Sequence, residues 1–63
     1  MNTHNILIVE DEVEIADAIE IYLKSQGYQT FKAYNGAEGL EMAKQHSIHL
    51  AIVDIMMPVM DLS

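Results

Sequence analysis

The run Asn5–Val9 (NILIV) is apolar at four consecutive positions and apolar on both faces. A strand with one wet face alternates, so a continuous run of this kind marks a parallel strand covered by helices on both sides. From residue 13 to residue 26 the spacing becomes helical. Ile15, Ile19, Tyr22 and Leu23 fall on one stripe, with Ala16 and Ala18 at or near its margins. Gly27 comes next, where a helix C-terminus wants a left-handed residue. Gln29–Ala33 alternates polar and apolar positions, which predicts a second, weaker strand at or near a sheet edge. Asn35-Gly36 marks a turn. Asn35 can cap a second helix, and Glu38 three residues later can answer it in a capping box. Ala37, Leu40 and Ala43 or Lys44 carry that helix to about His46. Gly39 within it costs about 1 kcal/mol relative to alanine. Residues 50–54 form the third strand, and Pro58 stops the segment after it.

The order is therefore βαβαβ, an α/β pattern. Two right-handed crossovers place the three strands in one parallel sheet. Ligands of doubly wound sheets bind beyond the carboxyl ends of the strands, where the winding reverses. With a spatial order of 2-1-3, that point lies between the first and third strands. Acidic side chains end both of these runs: Glu10 and Asp11 in residues 5–12 (NILIVEDE), and Asp54 in residues 50–58 (LAIVDIMMP). Taken singly, Asp54 can begin a turn, and Glu10 and Asp11 can serve a helix start. Three carboxylates at one sheet edge repel, and packing does not account for them. Such a trio holds a hard cation, Mg²⁺ or Mn²⁺, through oxygen ligands. A carboxylate aligned there can also attack phosphorus, and Asp54, held by a strand, is the best placed to do so.

Composition narrows the alternatives. At 63 residues the chain makes at most one small domain. A chain of this size buries only about 60% of the surface its unfolded form exposes. Yet 51% of its residues are hydrophobic, too many for a disordered segment and many for so short a chain. Ten acidic residues against three lysines give a net charge of −7. That balance argues against contact with nucleic-acid phosphates, which takes clustered Lys and Arg, and against anionic membrane. The absence of cysteine removes disulfides and thiolate metal sites. The N-terminal MNTHN lacks the basic start and apolar core of a signal peptide, and no apolar run has the length of a membrane span. These features predict a cytoplasmic chain. His4, His46 and His49 share no helical face or strand edge and are expected at the surface. Tyr22, Tyr28, Phe31 and Tyr34 are expected to pack, and Met56, Met57 and Met60 to fill core or loop.

Set together, ILIVEDE, the first helix ending in Gly27-Tyr28, AYNGAEGL and above all IVDIMMPVMD resemble the N-terminal half of a response-regulator receiver domain over essentially the whole chain. The resemblance implies the βαβαβ half of a doubly wound, flavodoxin-like parallel sheet, with residues 1–63 supplying strands one to three and helices one and two. It implies that Asp54 is the phospho-acceptor and that Asp11 contacts the metal directly. Glu10 matches the other member of the acidic pair, often Asp, which acts through metal-bound water. Met56 matches the position whose backbone carbonyl is a metal ligand, and Pro58 the proline that shapes the loop after the phosphorylated residue. A sensor histidine kinase as phosphate donor, Mg²⁺, and a C-terminal DNA-binding output domain in the parent protein are further implications. Two things depart from the family pattern. The later strands and helices of a receiver lie outside the sequence, with the hydroxyl residue and lysine that attend the phosphoryl group. Asp61 is followed by Leu62, where the family usually has glycine.

Two other classes compete. A phosphatase using an aspartyl-phosphate would normally carry its nucleophile at the end of the first strand, with a second Asp two residues on; here the third strand carries Asp54. A structural or assembly fragment would keep the motif residues without working as a switch. Whichever class holds, the third strand becomes an edge with Ala51, Ile52, Val53 and Ile55 on it, and the chain is expected to pair with a second copy, by that edge or by a swap, or with the missing half supplied separately.

Overall fold

The computed structural model describes residues 4–54. Its elements run β1 (Asn5–Val9), α1 (Val13–Ser25), β2 (Gln29–Ala33), α2 (Gly36–Gln45) and β3 (Leu50–Val53). The sheet is parallel throughout in the order β2-β1-β3, as the sequence predicts. β1 lies in the middle, with Ile6, Leu7, Ile8 and Val9 all at or below 5% exposure. Its alternating side chains serve two separate cores. Ile6 and Ile8 pack with Ala16 and Leu23 beneath α1. Leu7 and Val9 pack with Ala33, and with Met42 of α2. This double burial is why the strand reads as an unbroken apolar run.

The buried face of each helix differs from the sequence expectation. On α1, Ala16 and Leu23 are buried and Ile19 packs against them, whereas Ile15 is 43% and Tyr22 64% exposed. Adjacent helical residues are about 100° apart, so the inward face is turned by one residue from the stripe of bulkiest side chains. Ala16, a margin position in the sequence pattern, lets the helix lie close to Ile8. On α2 the same thing happens. Leu40 points outward, 60% exposed, and Gly39 is buried in its place. A methyl group at Gly39 would stand 2.9 Å from Val9 Cγ2. The residue that weakens α2 as an isolated helix is thus the one that lets it approach β1.

The helix ends obey local chemistry. α1 stops at Ser25 with Gln26 as C-cap, one residue earlier than expected. Gly27 takes φ +89°, its amide donates to Lys24 O and the Tyr28 amide donates to Leu23 O, the paired bonds of a Schellman ending. At α2, Asn35 Oδ1 accepts the Glu38 amide at 2.8 Å. The return bond of a capping box is displaced: Glu38 Oε1 accepts the amide of Tyr34 at 2.9 Å rather than that of Asn35.

β2 lies at the sheet edge that its alternation predicts. Lys32 reaches Asp17 Oδ1 at 2.7 Å and Glu20 Oε1 at 3.1 Å on α1, and Thr30 donates to Glu20 Oε2 at 3.3 Å. The Lys32 hydrogen bond is the chief cause that holds the Glu20 carboxyl below its usual range, against the opposing effect of burial. β3 ends at Val53, one residue short of the expected boundary, and among the described residues no strand pairs with its outer edge.

Candidate functional site

The acidic residues are positioned by the backbone on both flanks of β1. The Glu10 amide donates to Ala33 O of β2 at 3.0 Å, and the Asp54 amide donates to Val9 O at 3.1 Å. Parallel pairing of Val9 with Ala33 on one side and with Val53 on the other brings the three strand ends level. Glu10, Asp11 and Asp54 then each offer a carboxylate oxygen, all within 4.8 Å of one another. Their surroundings differ. Glu10 is buried at 4% exposure, Asp54 is half-buried and Asp11 is exposed.

Glu10 is tied as well as buried. Its Oε2 accepts the amide of Glu12, the N-cap of α1, at 3.2 Å. Burial pushes the Glu10 carboxyl above the usual carboxylate range, the Glu12 amide works against that, and the neighbouring Asp11 and Asp54 raise it further. A cation among these carboxylates would offset both the burial of Glu10 and the repulsion between them. The donor set is all hard oxygen, which suits Mg²⁺ or Mn²⁺ rather than a soft metal. Glu10, Asp11 and Asp54 therefore fit a divalent hard cation. Met56 and Pro58, the other two site positions expected from the sequence, lie outside the described residues, as do Ile55, Met57, Met60 and Asp61.

The histidines are exposed as expected, but two of them are neighbours. The His4 and His49 rings stand edge to face with centroids 5.1 Å apart. The signal was present in the strand order. The β1–β3 register pairs Ile6 with Leu50, which sets His49 opposite Asn5, the chain neighbour of His4. His46 stacks on Phe31 at 4.3 Å and closes the α2 face.

The family model for the response regulator receiver domain matches residues 6–61. The chain belongs to the response regulator receiver domain family. Among curated proteins, this receiver sequence is 55% identical over 53 residues to the regulatory protein VanR of Enterococcus faecium, covering 84% of the chain and 23% of that protein. It is 41% identical over 56 residues to the response regulator GtcR of Aneurinibacillus migulanus, covering 89% of the chain and 23% of that protein. It is 43% identical over 58 residues to the probable transcriptional regulator ycf27 of Cyanidium caldarium, covering 92% and 23% respectively. The chain thus spans about a quarter of the length of these relatives. No solved structure gives a significant match. Among the described residues no helix is long and apolar enough to cross a membrane.

Proposed function

We propose that residues 1–63 are the N-terminal portion of a phospho-accepting receiver, and that Asp54 takes a phosphoryl group from the phosphohistidine of a sensor histidine kinase. The observation that carries this is the convergence of the Glu10, Asp11 and Asp54 carboxylates where β1 and β3 end. An Asp54 carboxylate oxygen attacks phosphorus. A P–O bond forms, the P–N bond to the donor imidazole breaks, and its electron pair returns to the ring nitrogen. Asp11, Asp54 and the Met56 carbonyl would hold Mg²⁺ or Mn²⁺, with Glu10 adding its charge nearby, and the bound cation would neutralise charge between phosphoryl group and carboxylates. β1 holds Asp54 through the Val9 carbonyl, which accepts the Asp54 amide, and Glu10 is fixed by the Glu12 amide.

In the parent protein this module would act in the cytoplasm and switch a C-terminal DNA-binding output domain, in keeping with relatives named as transcriptional regulators. With its net charge of −7, the segment itself would touch neither nucleic acid nor membrane. The test is phosphate incorporation in the full-length parent from acetyl phosphate and Mg²⁺. Asp54→Asn should abolish it and Asp61→Asn should leave it nearly unchanged. Acid-labile phosphate appearing on Asp54→Asn at the normal rate refutes the assignment.

One observation favours a second role for the 63-residue chain by itself. β3 is exposed on both faces, with Leu50 at 57% and Val53 at 52%, and among the described residues its outer edge is unpaired. An apolar strand with unpaired backbone groups is a template for another copy. In this reading the chain assembles without switching, and metal-dependent labelling of the 63-mer is absent.

A further inference from the structure

We propose that His49 is an acid-sensitive clip between β1 and β3. Asn5 and His49 face one another one position before the Ile6–Leu50 pair. The Asn5 amide donates to His49 Nδ1 at 2.8 Å, the His49 amide donates to Asn5 O at 2.9 Å, and Asn5 Nδ2 donates to Ser47 O at 2.7 Å. A ring nitrogen that accepts a hydrogen bond carries no proton, so the neutral His49 ring keeps its hydrogen on Nε2. This has two consequences. The single in-plane lone pair of the neutral His49 ring is already engaged by the Asn5 amide, so its pairing with His4 is not a metal site. And an imidazolium carries hydrogen on both nitrogens, so protonation turns the Asn5 contact into two opposed donors.

The surroundings do not compensate. Among the described residues, the titratable groups that line the adjoining groove are His4 from the segment before β1, Tyr22 from α1 and Tyr28 from the segment before β2, and no carboxylate lines it. β3 has four residues and only one paired edge among the described residues. Loss of the Asn5 contact therefore loosens the start of the strand whose far end leads into Asp54. The clip stands apart from the chemistry proposed for Asp54 and is tested without it.

The experiment is NMR of the 63-residue chain at pH 7.5 and 5.0. At pH 7.5, long-range ¹H–¹⁵N correlations should identify His49 Nδ1 as the unprotonated nitrogen. At pH 5.0 the protection of the Asn5 amide against exchange, corrected for its intrinsic rate, should fall roughly fivefold to tenfold, the scale of one lost hydrogen bond. In His49→Asn the side-chain oxygen accepts at either pH, so protection should persist; His4→Gln should retain the wild-type drop. An Nδ1–H tautomer at pH 7.5, unprotected Asn5 at pH 7.5, pH-independent protection in the wild type, or the same drop in His49→Asn overturns the proposal.

Discussion

Replacing Gly39 by alanine sets two known effects against each other. In an exposed helix the change would stabilise α2 by about 1 kcal/mol, because glycine gives up more backbone freedom on folding. Here the new methyl would meet Val9 Cγ2 at 2.9 Å and Val9 Cγ1 at 3.6 Å. Val9 cannot swing aside cheaply: it is β-branched, stiff at χ1, and 5% exposed in the central strand. Overpacking of this kind costs about 1–3 kcal/mol, so the helix gain is cancelled or outweighed. Gly39→Ala should come out neutral to about 2 kcal/mol destabilising. Removing the obstacle should reverse the sign. In a Val9→Ala background the nearest remaining side-chain atom is Ala33 Cβ at 3.9 Å, an ordinary contact. The same glycine substitution should then stabilise by up to about 1 kcal/mol. Urea unfolding of the four proteins closes a double-mutant cycle whose coupling should be about 1–3 kcal/mol. Equal effects of Gly39→Ala in both backgrounds, or a full helix-propensity gain in the wild type, would show that α2 does not rest on Val9.

Four further outcomes can be checked directly. Millimolar Mg²⁺ should move the amide signals of residues 9–12 and of Asp54 and its successors; unmoved signals remove the cation site, whose affinity should be weak because Mg²⁺ retains several waters. Acid should unfold the chain partly through Glu20, whose carboxyl is held below its usual range by Lys32. A depressed carboxylate contributes stability above its unfolded value that is lost as pH falls, so Lys32→Met should flatten the acid limb of a melting-temperature profile. Glu10 has the opposite sign, since its raised value contributes stability at low pH that fades as pH rises through it, and Glu10→Gln should lift the neutral-pH end of the same profile. Sedimentation equilibrium at micromolar concentration should find the 63-residue chain self-associated through the β3 edge, and a compact, cooperatively melting monomer of 7.1 kDa would refute that.

The strand pattern and the site were legible for the same reason. β1 is apolar on both faces because it is covered on both, and order 2-1-3 levels the ends of β1 and β3, so an acidic residue after each must meet the other. The helix faces were harder to read. Periodicity weighs the bulkiest side chains, and on α1 and α2 these are Tyr22 and Leu40, both exposed. The contacts fall instead on Ala16 and Gly39, where lack of bulk allows close approach. Hydrophobicity alone cannot register a residue chosen for what it lacks. The same limit hid the difference within the acidic trio. Glu10, Asp11 and Asp54 are equivalent as letters, yet only Glu10 is buried and bound to the Glu12 amide. That asymmetry comes from the β1-to-α1 connection, which turns Glu10 inward while Asp11 stays in solvent. Under the proposed phosphoryl transfer, the buried Glu10 would add charge from within the site, and the more open Asp11 and Asp54 would be the carboxylates that meet a cation and the donor.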